Sequence, residues 1–396
     1  MIEIAEKSFR VPVRAWLPPE EIEPGAMDQL RRAAGHPDVA VALAVMPDCH
    51  VGFGVTIGCV MPTEGAVIPN AVGVNIGCGM CAVDTGVEFN ERRMGREFWR
   101  GWIGNVQRNV PTGFSAHKSA QRWEGLERTL RATELQPLLA TKAAVQLGTL
   151  GGGNHFLEAQ VDERGVIWLM VHSGSRHTGL RIADHYHKLA VGLNEERAAG
   201  APKDLSSLPT DDAVGRDYLH DMAWATDFAL ESRRRMVDGM VAALEKQLKQ
   251  DISQQLFINI HHNFAGEEEH EGRRVVVHRK GATSAREGEL GIIPGSMGTP
   301  SYIVRGRGNP LSLESCSHGA GRRMSRSAAK TKITEERFKR SLEGTFSTAS
   351  MGYVDEAPGA YKDIETVIGR QIDLIDVVHT LRPLATVKGD SKARED

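Results

Sequence analysis

The 396-residue chain lacks the features of membrane, secreted and strongly basic proteins. No apolar run reaches the ~20 residues that a transmembrane helix needs, so we expect no membrane partner. The opening segment MIEIAEKSFR has no apolar core before a cleavage site, and we expect no signal peptide. A formal net charge of −3 argues against polyanion binding through the overall charge of the protein. Any such partner must be held by local patches.

Three clusters of basic residues are candidates for such patches. They lie at residues 233–235, 273–280 and 322–326. A run of basic residues is more often a solvated face than a binding site. The clusters therefore permit a polyanionic partner without demonstrating one.

Cysteine usage indicates the compartment. The five cysteines are an odd number, and they are scattered among segments rich in histidine and glycine. This pattern favours free thiols that serve metals or catalysis over a disulfide framework. We therefore expect a protein of the reducing cytoplasm.

The spacing of apolar residues predicts an α/β fold. The first ninety residues read as short apolar strands broken by glycines, and residues 90–142 show helical spacing. Residues 181–250 predict two or three helices with a break near Ala198 to Pro209. No repeat or linker divides the chain. We expect one compact unit over residues 1–396, with a mixed sheet and a helical insertion at about 181–250.

Polar side chains that can bind metals follow several of the predicted strands. Rigid scaffolds often assemble their sites in such loops at strand ends. A single histidine in this position is more often structural, but several similar loops, most with glycines beside them, favour a site. The set comprises Asp48, Cys49, His50, Asn75, Cys78, Asn154, His155, His172, His262, Asn263 and His318.

A thiolate and neutral imidazoles form a good ligand set for a transition metal, and a thiolate can bridge two ions. Zinc is the alternative, because Cys78 and Cys81 have the C-x-x-C spacing of a zinc half-site. A second half-site is missing from the sequence, which makes a structural zinc knuckle the weaker hypothesis. The ligand candidates are Cys78, His155, His172 and His262.

Glycine-rich segments at residues 151–153, 294–296 and 319–321 suit a phosphate site. Glycine allows backbone N–H groups to approach phosphates closely. The sequence has no G-x-x-x-x-G-K-[ST] element, which excludes a P-loop protein. It also has no K-x-D-G element, the mark of ligases with a lysine nucleophile. If catalysis is covalent, a histidine is therefore the expected attacking group.

Long motifs rich in glycine and histidine run from residue 46 to residue 389. They are MPDCHVGFGVTIGCV, VGVNIGCGM, GTLGGGNHFLE, VHSGSRHTG, HHNFA, HRKGAT, IPGSMG, SCSHGAGRRMSR, DEAPGAYKDI and VVHTLRPLATVKG. Together, and in this order, they resemble the RtcB family of RNA ligases. The resemblance implies an α/β fold largely peculiar to that family, a single unit with a deep active-site cleft.

The resemblance also implies a two-metal site that Cys78 bridges. His155 and His172 complete one site, and His262 shares the other. The family motif has aspartate at the position of Asn75 in VGVNIGCGM. An amide oxygen can coordinate a hard cation but brings no negative charge, so we expect a weakened second site.

The resemblance places a guanylate on His318, with Asp48 orienting the imidazole as carboxylates do in other histidine sites. Glu158 and Lys388 would contact the hydrogen-bonding edge of guanine. The implied guanylate pocket contains Asn154, His155, Phe156, Leu157, Glu158, His262, Asn263, Pro294, Gly295, Ser296, Met297, Ser301, His318, Gly319, Ala320, Gly321 and Lys388.

The implied activity is ligation of RNA in RNA repair or tRNA splicing, with GTP and one or two Mn²⁺ ions as cofactors. Ends that bear a 3′-phosphate or a 2′,3′-cyclic phosphate would be joined to 5′-hydroxyl ends through a histidine guanylate. A protein of the archease type is the activating partner that the resemblance suggests. Two alternatives stay open: a metal-dependent RNA phosphodiesterase or phosphatase, and a catalytically weakened protein that binds RNA ends.

Overall fold

The computed structural model describes residues 1–197, 200–347 and 351–389. The α-helices are α1 (Pro24–Ala34), α2 (Pro69–Val72), α3 (Arg96–Asn109), α4 (Ala144–Gln146), α5 (Arg176–Glu196), α6 (Ala213–Leu248), α7 (Arg326–Lys332), α8 (Glu335–Ser341) and α9 (Ile364–Gly369). The strands are β1 (Ile2–Ile4), β2 (Val13–Ala15), β3 (Leu43–His50), β4 (Ile57–Thr63), β5 (Ala66–Val67), β6 (Gly79–Glu88), β7 (Phe156–Val161), β8 (Val166–Ser173), β9 (Leu208–Pro209), β10 (Leu256–His261), β11 (Asn263–His270), β12 (Arg273–Lys280), β13 (Ala282–Ser284), β14 (Leu290–Ile293), β15 (Ser301–Gly306), β16 (Ser315–Ser317), β17 (Phe346–Ser347) and β18 (Ile375–Lys388).

Two large sheets contain most of these strands. One has the order β1-β2-β3-β4-β12-β11, and the other has the order β10-β6-β8-β7-β18-β15-β14 with β17 paired to β18. Strands β13 and β16 form a separate antiparallel pair, and β5 pairs with β9. The pairs β2–β3 and β17–β18 are parallel, whereas the other pairs are antiparallel. The predicted α/β fold with mixed sheets is confirmed.

Helix α6 packs across the sheet that contains β6, β8 and β10. Side chains alternate along β6, so that Cys81 and Val83 lie in the cluster with α3 and α6, while Met80 and Ala82 lie in another. At 36 residues, α6 is roughly 54 Å long, given a rise of 1.5 Å per residue. Despite that length, no helix among the described residues is apolar enough to cross a membrane.

Residues 90–142 are less helical than predicted. After α3, residues 124–143 form 3-10 turns and a short π-helical segment instead of one long helix. The carboxylate of Asp221, on α6, accepts hydrogen bonds from the backbone N–H groups of Arg131 and Ala132 at 2.8 and 2.9 Å. An acceptor on a distant helix thus replaces local helical hydrogen bonds, which the apolar spacing of this segment could not reveal.

Two other helical predictions need correction. Helix α1 lies in the region that we predicted as strands only, and it begins at Pro24, where the missing N–H of proline is tolerated. The helical region predicted from residue 181 begins earlier, at Arg176, with α5. The break expected near Ala198 falls partly on residues 198–199, which lie outside the described residues.

Antiparallel pairing places several strand ends side by side in the eight-stranded sheet. Gly79, at the start of β6, is paired with Ser173 at the end of β8 and with His261 at the end of β10. Phe156, at the start of β7, is paired with Lys388 at the end of β18. The residues that precede or follow these positions in sequence are therefore neighbours in space.

Candidate active site

A cavity of about 630 Å³ is lined by residues at the strand ends of both large sheets. Most of the residues that the sequence singled out take part in its wall. The predicted site residues that line the cavity are Asn75, Cys78, Asn154, Phe156, Glu158, His172, His262, Asn263, Pro294, Gly295, Ser296, Met297, His318, Gly319, Ala320, Gly321 and Lys388.

Four predicted site residues lie behind this wall. Asp48 and His155 are buried and contact lining residues, as described below. Leu157 packs in the hydrophobic cluster beneath the sheet, so its side chain offers nothing to a ligand in the cavity. Ser301 accepts hydrogen bonds from Gln160 at 3.0 Å and from the backbone N–H of Gly295 at 3.2 Å. Ser301 therefore supports the glycine loop.

Cys78, His155 and His172 form a compact, buried cluster of metal-binding side chains. Their ligand atoms lie within 4.8 Å of one another. Cys78 Sγ is 3.6 Å from His155 Nε2 and 3.3 Å from His172 Nε2. His262 adjoins the cluster, with its Nε2 atom 3.3 Å from that of His172. Lone pairs this close repel unless a proton or cation lies among them, and this sulfur and nitrogen set fits a transition metal.

The imidazoles of this cluster are in the form that binds metals. His155 Nδ1 lies 3.0 Å from the carbonyl oxygen of Leu150, so Nδ1–H donates and Nε2 keeps its lone pair for the cluster. Burial, together with His155 and His318, lowers the pKa of His172 well below its usual value. Burial likewise lowers the pKa of His262. Neutral imidazoles are what metal coordination requires.

Asn75 lies at the His155 end of this set. Its amide nitrogen is 3.2 Å from His155 Nε2. Contacts then run from His155 to Cys78, from Cys78 to His172 and from His172 to His262. This order groups Asn75 with His155, whereas the sequence hypothesis paired it with His262. Sequence spacing could not show the order, because the three histidines come from separate segments of the chain.

The guanidinium of Arg233, on α6, holds the strand ends that bear these ligands. It donates to the carbonyl oxygens of Gly77 at 2.7 Å and Ser173 at 2.9 Å. It also contacts Asn259 Oδ1 at 2.7 Å and His261 Nδ1 at 3.2 Å. Three of these four partners are the sequence neighbours of candidate ligands. Burial lowers the pKa of Arg233 to about 10, which leaves it charged at neutral pH.

Two of the three candidate basic patches contain an arginine that is buried and is therefore not part of the surface. Arg233 is buried, and Arg279 is buried against the carboxylate of Glu268. In the third cluster, Arg322 and Arg326 line the cavity and pair with Glu356. The partner carboxylates come from distant segments, so the run of basic residues could not show the pairing.

His318 lies in the cavity wall with one imidazole nitrogen fixed by Asp48. The Nδ1 atom is 2.6 Å from Asp48 Oδ2, and the same oxygen accepts the backbone N–H groups of His318 and Gly319 at 3.1 and 3.3 Å. The carboxylate thus favours the Nδ1–H tautomer and leaves the lone pair on Nε2. The ring centroids of His318 and His262 are 4.9 Å apart, so this nitrogen lies next to the metal-binding cluster.

The loop after His318 runs against the strand that carries Asp48. A Cβ atom at Gly321, where φ is +71°, would lie 2.1 Å from the carbonyl oxygen of Asp48. Lys362 donates to the carbonyl oxygens on either side of Asp48, at 3.0 and 2.6 Å, and its backbone N–H donates to Gly321 at 2.9 Å. A glycine and a partly buried ammonium therefore keep Asp48 and His318 in place.

Glu158 and Lys388, the predicted guanine contacts, are buried and already paired. Glu158 accepts hydrogen bonds from the hydroxyl of Thr386 and the amide of Gln160, and burial raises its pKa. Lys388 Nζ is 3.2 Å from the carboxylate of Glu356. The two predicted contacts thus belong to one polar wall of the cavity.

Glu356 also lines the cavity, although it was not predicted as a site residue. Burial alone would raise its pKa, but Lys388, Arg326 and Arg322 outweigh burial, and the pKa is lowered. Its motif, DEAPGAYKDI, was visible, yet nothing in the sequence showed which cations surround it. Phe53, Tyr361 and Thr386 also line the cavity and were missed, whereas Lys280, Arg322 and Arg326 had been noted only as members of basic clusters.

Replacing Cys78 should weaken the binding of a transition-metal ion, with Mn²⁺ as the probe. Cys78 Sγ contacts two of the imidazoles, so Cys78→Ala removes the ligand that links the two sides of the cluster. We expect the affinity measured by isothermal titration calorimetry to fall at least about tenfold.

Cys81→Ala is the matched control. Cys81 lies in the hydrophobic cluster below the sheet, and burial raises its pKa to about 12, so its thiol should not ionise. This variant should keep its metal affinity and lose about 1 kcal/mol of stability. Equal losses of affinity in the two variants would instead support a C-x-x-C zinc half-site.

Known proteins resemble the chain over nearly its whole length. The family model described as tRNA-splicing ligase RtcB matches residues 29–389. The RNA-splicing ligase RtcB of Escherichia coli K12 is 39% identical, covering 96% of this chain and 97% of the relative. The tRNA-splicing ligase RtcB of Archaeoglobus fulgidus is 31% identical, covering 93% of this chain and 92% of the relative. That of Thermococcus kodakarensis is 30% identical, covering 97% of this chain and 96% of the relative. With its site residues at one cavity and these matches, the chain belongs to the RtcB family.

Proposed function

We propose that the protein is a GTP- and manganese-dependent RNA ligase acting in RNA repair or tRNA splicing. It joins ends with a 3′-phosphate or 2′,3′-cyclic phosphate to 5′-hydroxyl ends, and His318 carries the guanylate. The geometry of His318 is the observation that carries this proposal. Asp48 Oδ2 lies 2.6 Å from His318 Nδ1, and the His318 ring lies beside His262 of the metal-binding region. The names of the relatives, RNA-splicing and tRNA-splicing ligases, support the same reaction class.

In the first step, His318 Nε2 attacks the α-phosphorus of GTP. A P–N bond forms while the bond between the α-phosphorus and its bridging oxygen breaks, and pyrophosphate leaves. Asp48 stays hydrogen-bonded to Nδ1 and stabilises the positive charge that develops on the ring. Manganese held by Cys78 and the imidazoles would neutralise charge on the phosphoryl oxygens.

In the later steps, the guanylate passes to RNA. An oxygen of the RNA 3′-phosphate attacks the guanylate phosphorus, and the P–N bond to His318 breaks. The 5′-hydroxyl then attacks the activated 3′-phosphate, which forms the phosphodiester and releases GMP. A 2′,3′-cyclic phosphate first takes up water to give the 3′-phosphate. Lys280, Arg322 and Arg326 line the cavity and supply positive charge for the RNA phosphates.

Glu158 and Lys388 support GTP as the nucleotide. A carboxylate can accept hydrogen bonds from guanine N1 and N2, and an ammonium can donate to O6, whereas adenine presents the opposite pattern. Adenine would set its N1 acceptor against the carboxylate and its amino donor against the ammonium, and this mismatch would penalise ATP. The ion pair of Lys388 with Glu356 holds the ammonium in place for this contact.

The setting of the reaction is part of the same proposal. We take residues 1–396 as a single catalytic domain that works in the cytoplasm with an archease-type activator. The five cysteines are free thiols, and each is buried, which suits a reducing compartment.

Guanylylation should depend on His318. Incubation with labelled GTP and Mn²⁺ should leave one guanylate on the denatured wild-type protein, labile to acid and stable to alkali as a P–N bond is. His318→Ala should show no adduct by intact-mass analysis. His379→Ala is the control, because His379 bonds Glu163 away from the cavity, and it should be labelled normally.

An adduct that persists in His318→Ala would exclude this histidine as the nucleophile. Release of RNA phosphate by a wild-type protein that never becomes labelled would favour the phosphodiesterase or phosphatase. RNA binding with neither labelling nor phosphate release would favour the end-binding protein.

Asn75→Asp should lower the Mn²⁺ concentration that guanylylation requires. The side chain of Asn75 contacts His155, so an aspartate there would add a negative charge beside one end of the metal-binding cluster. We expect the midpoint of a manganese titration to fall about tenfold, and the weaker of two binding events in calorimetry to tighten.

Asn90→Asp is the control for the added charge. Asn90 is exposed and already accepts backbone hydrogen bonds from Arg92 and Arg93, so aspartate fits there without affecting the cavity. If Asn75→Asp leaves the midpoint where the wild type and the control have it, the amide does not limit metal binding and only supports its loop.

A further inference from the structure

An exposed aromatic side chain stands at the cavity wall. Among the described lining residues, Phe53 and Val51 are the exposed large apolar side chains, with 62% and 44% of their surfaces accessible. Both belong to the loop that follows β3, the strand that carries Asp48. Exposed apolar side chains at the wall of a cavity offer an apolar contact to a ligand.

The backbone of this loop is fixed on both sides of the ring. The buried amide of Gln29 donates to the carbonyl oxygen of Gly52 at 2.7 Å and accepts its N–H at 3.1 Å. Lys280 donates to the carbonyl oxygen of Phe53, and to that of Asn70 at 2.9 Å. The ring of Phe53 is therefore held at the mouth of the cavity by a loop that is already ordered.

The same cavity wall combines this ring with cations. Lys280, Arg322 and Arg326 line it, while Phe53 presents an apolar face. A nucleotide has the matching chemistry, since its phosphate binds cations and its base stacks on aromatic rings. RNA ends are also unpaired, which leaves their bases free to stack.

We propose that Phe53 is a stacking platform for the unpaired base of a terminal nucleotide of the RNA substrate. This subsite deepens the proposed ligase function and rests on it for the identity of the ligand. The base lies on the ring, and the phosphate attached to the same nucleotide points inward to the cations. Because every base has a π face, this subsite binds an RNA end without reading its sequence.

Equilibrium binding tests the subsite without requiring catalysis. Short RNAs with a 3′-phosphate or with a 5′-hydroxyl are compared with the same RNAs lacking the terminal base, by fluorescence anisotropy. Wild-type protein should bind one abasic end about five- to a hundredfold more weakly than the intact end. The end that shows this loss identifies which terminal nucleotide uses the platform.

Phe53→Ala should bind the intact and abasic forms of that RNA with equal, weak affinity. Phe53→Trp should restore the preference for the intact form, whereas Phe53→Leu should not. Phe114→Ala is the matched control, because Phe114 is 75% exposed but does not line the cavity, and it should behave as wild type.

The proposal is overturned if the Phe53→Ala and abasic losses multiply independently, or if Phe53→Leu restores the preference. The second result would point to general apolar contact, such as that with a protein partner. Labelling of wild type with GTP is measured in parallel. If the wild-type protein is not labelled by GTP but shows the coupled losses of affinity, the ligase reaction is refuted and the stacking platform is retained. The two failures are therefore distinguishable.

Discussion

The buried guanidinium of Arg233 joins helix α6 to the three strand ends that bear candidate metal ligands. Its hydrogen bonds to Gly77, Ser173 and His261 fix the backbone next to Cys78, His172 and His262. Burying a charge is costly unless it is paired or hydrogen-bonded on all sides. Here backbone carbonyls and side chains of the strand ends supply the acceptors, so the stability of the buried charge and the geometry of the metal cluster depend on the same contacts. The long helix is thus part of the site.

A second constraint organises the part of the cavity wall that carries His318. Asp48 accepts three hydrogen bonds from His318 and Gly319, and the close approach at Gly321 brings the two segments together. One carboxylate therefore orients both the imidazole and the loop behind it. Glu356 has a comparable role on the polar wall, where it pairs with Lys388 and two arginines. Each wall is built from charges whose partners come from distant parts of the chain.

The residue types at the cavity could be predicted, because strand-end loops with histidine, cysteine and glycine are visible in the sequence. The order of these residues in space could not be predicted. The position of Asn75 beside His155 depends on how antiparallel strands align at one edge of the sheet. In the same way, Arg233 looked like part of a basic patch, and only the packing of α6 shows it as an interior residue. The helical pattern predicted over residues 90–142 does not continue past α3 as regular helix, because Asp221 on a distant helix accepts the backbone N–H groups of Arg131 and Ala132.

Under the proposed function, His318 carries a guanylate next to a metal held by Cys78 and its neighbouring imidazoles. Crystals grown with GTP and Mn²⁺, measured at the manganese absorption edge, would reveal both groups. We expect an anomalous peak among Cys78 Sγ, His155 Nε2 and His172 Nε2, and continuous density from His318 Nε2 to the guanylate phosphorus. A manganese peak away from these atoms, or a guanylate joined to another residue, would contradict this proposal.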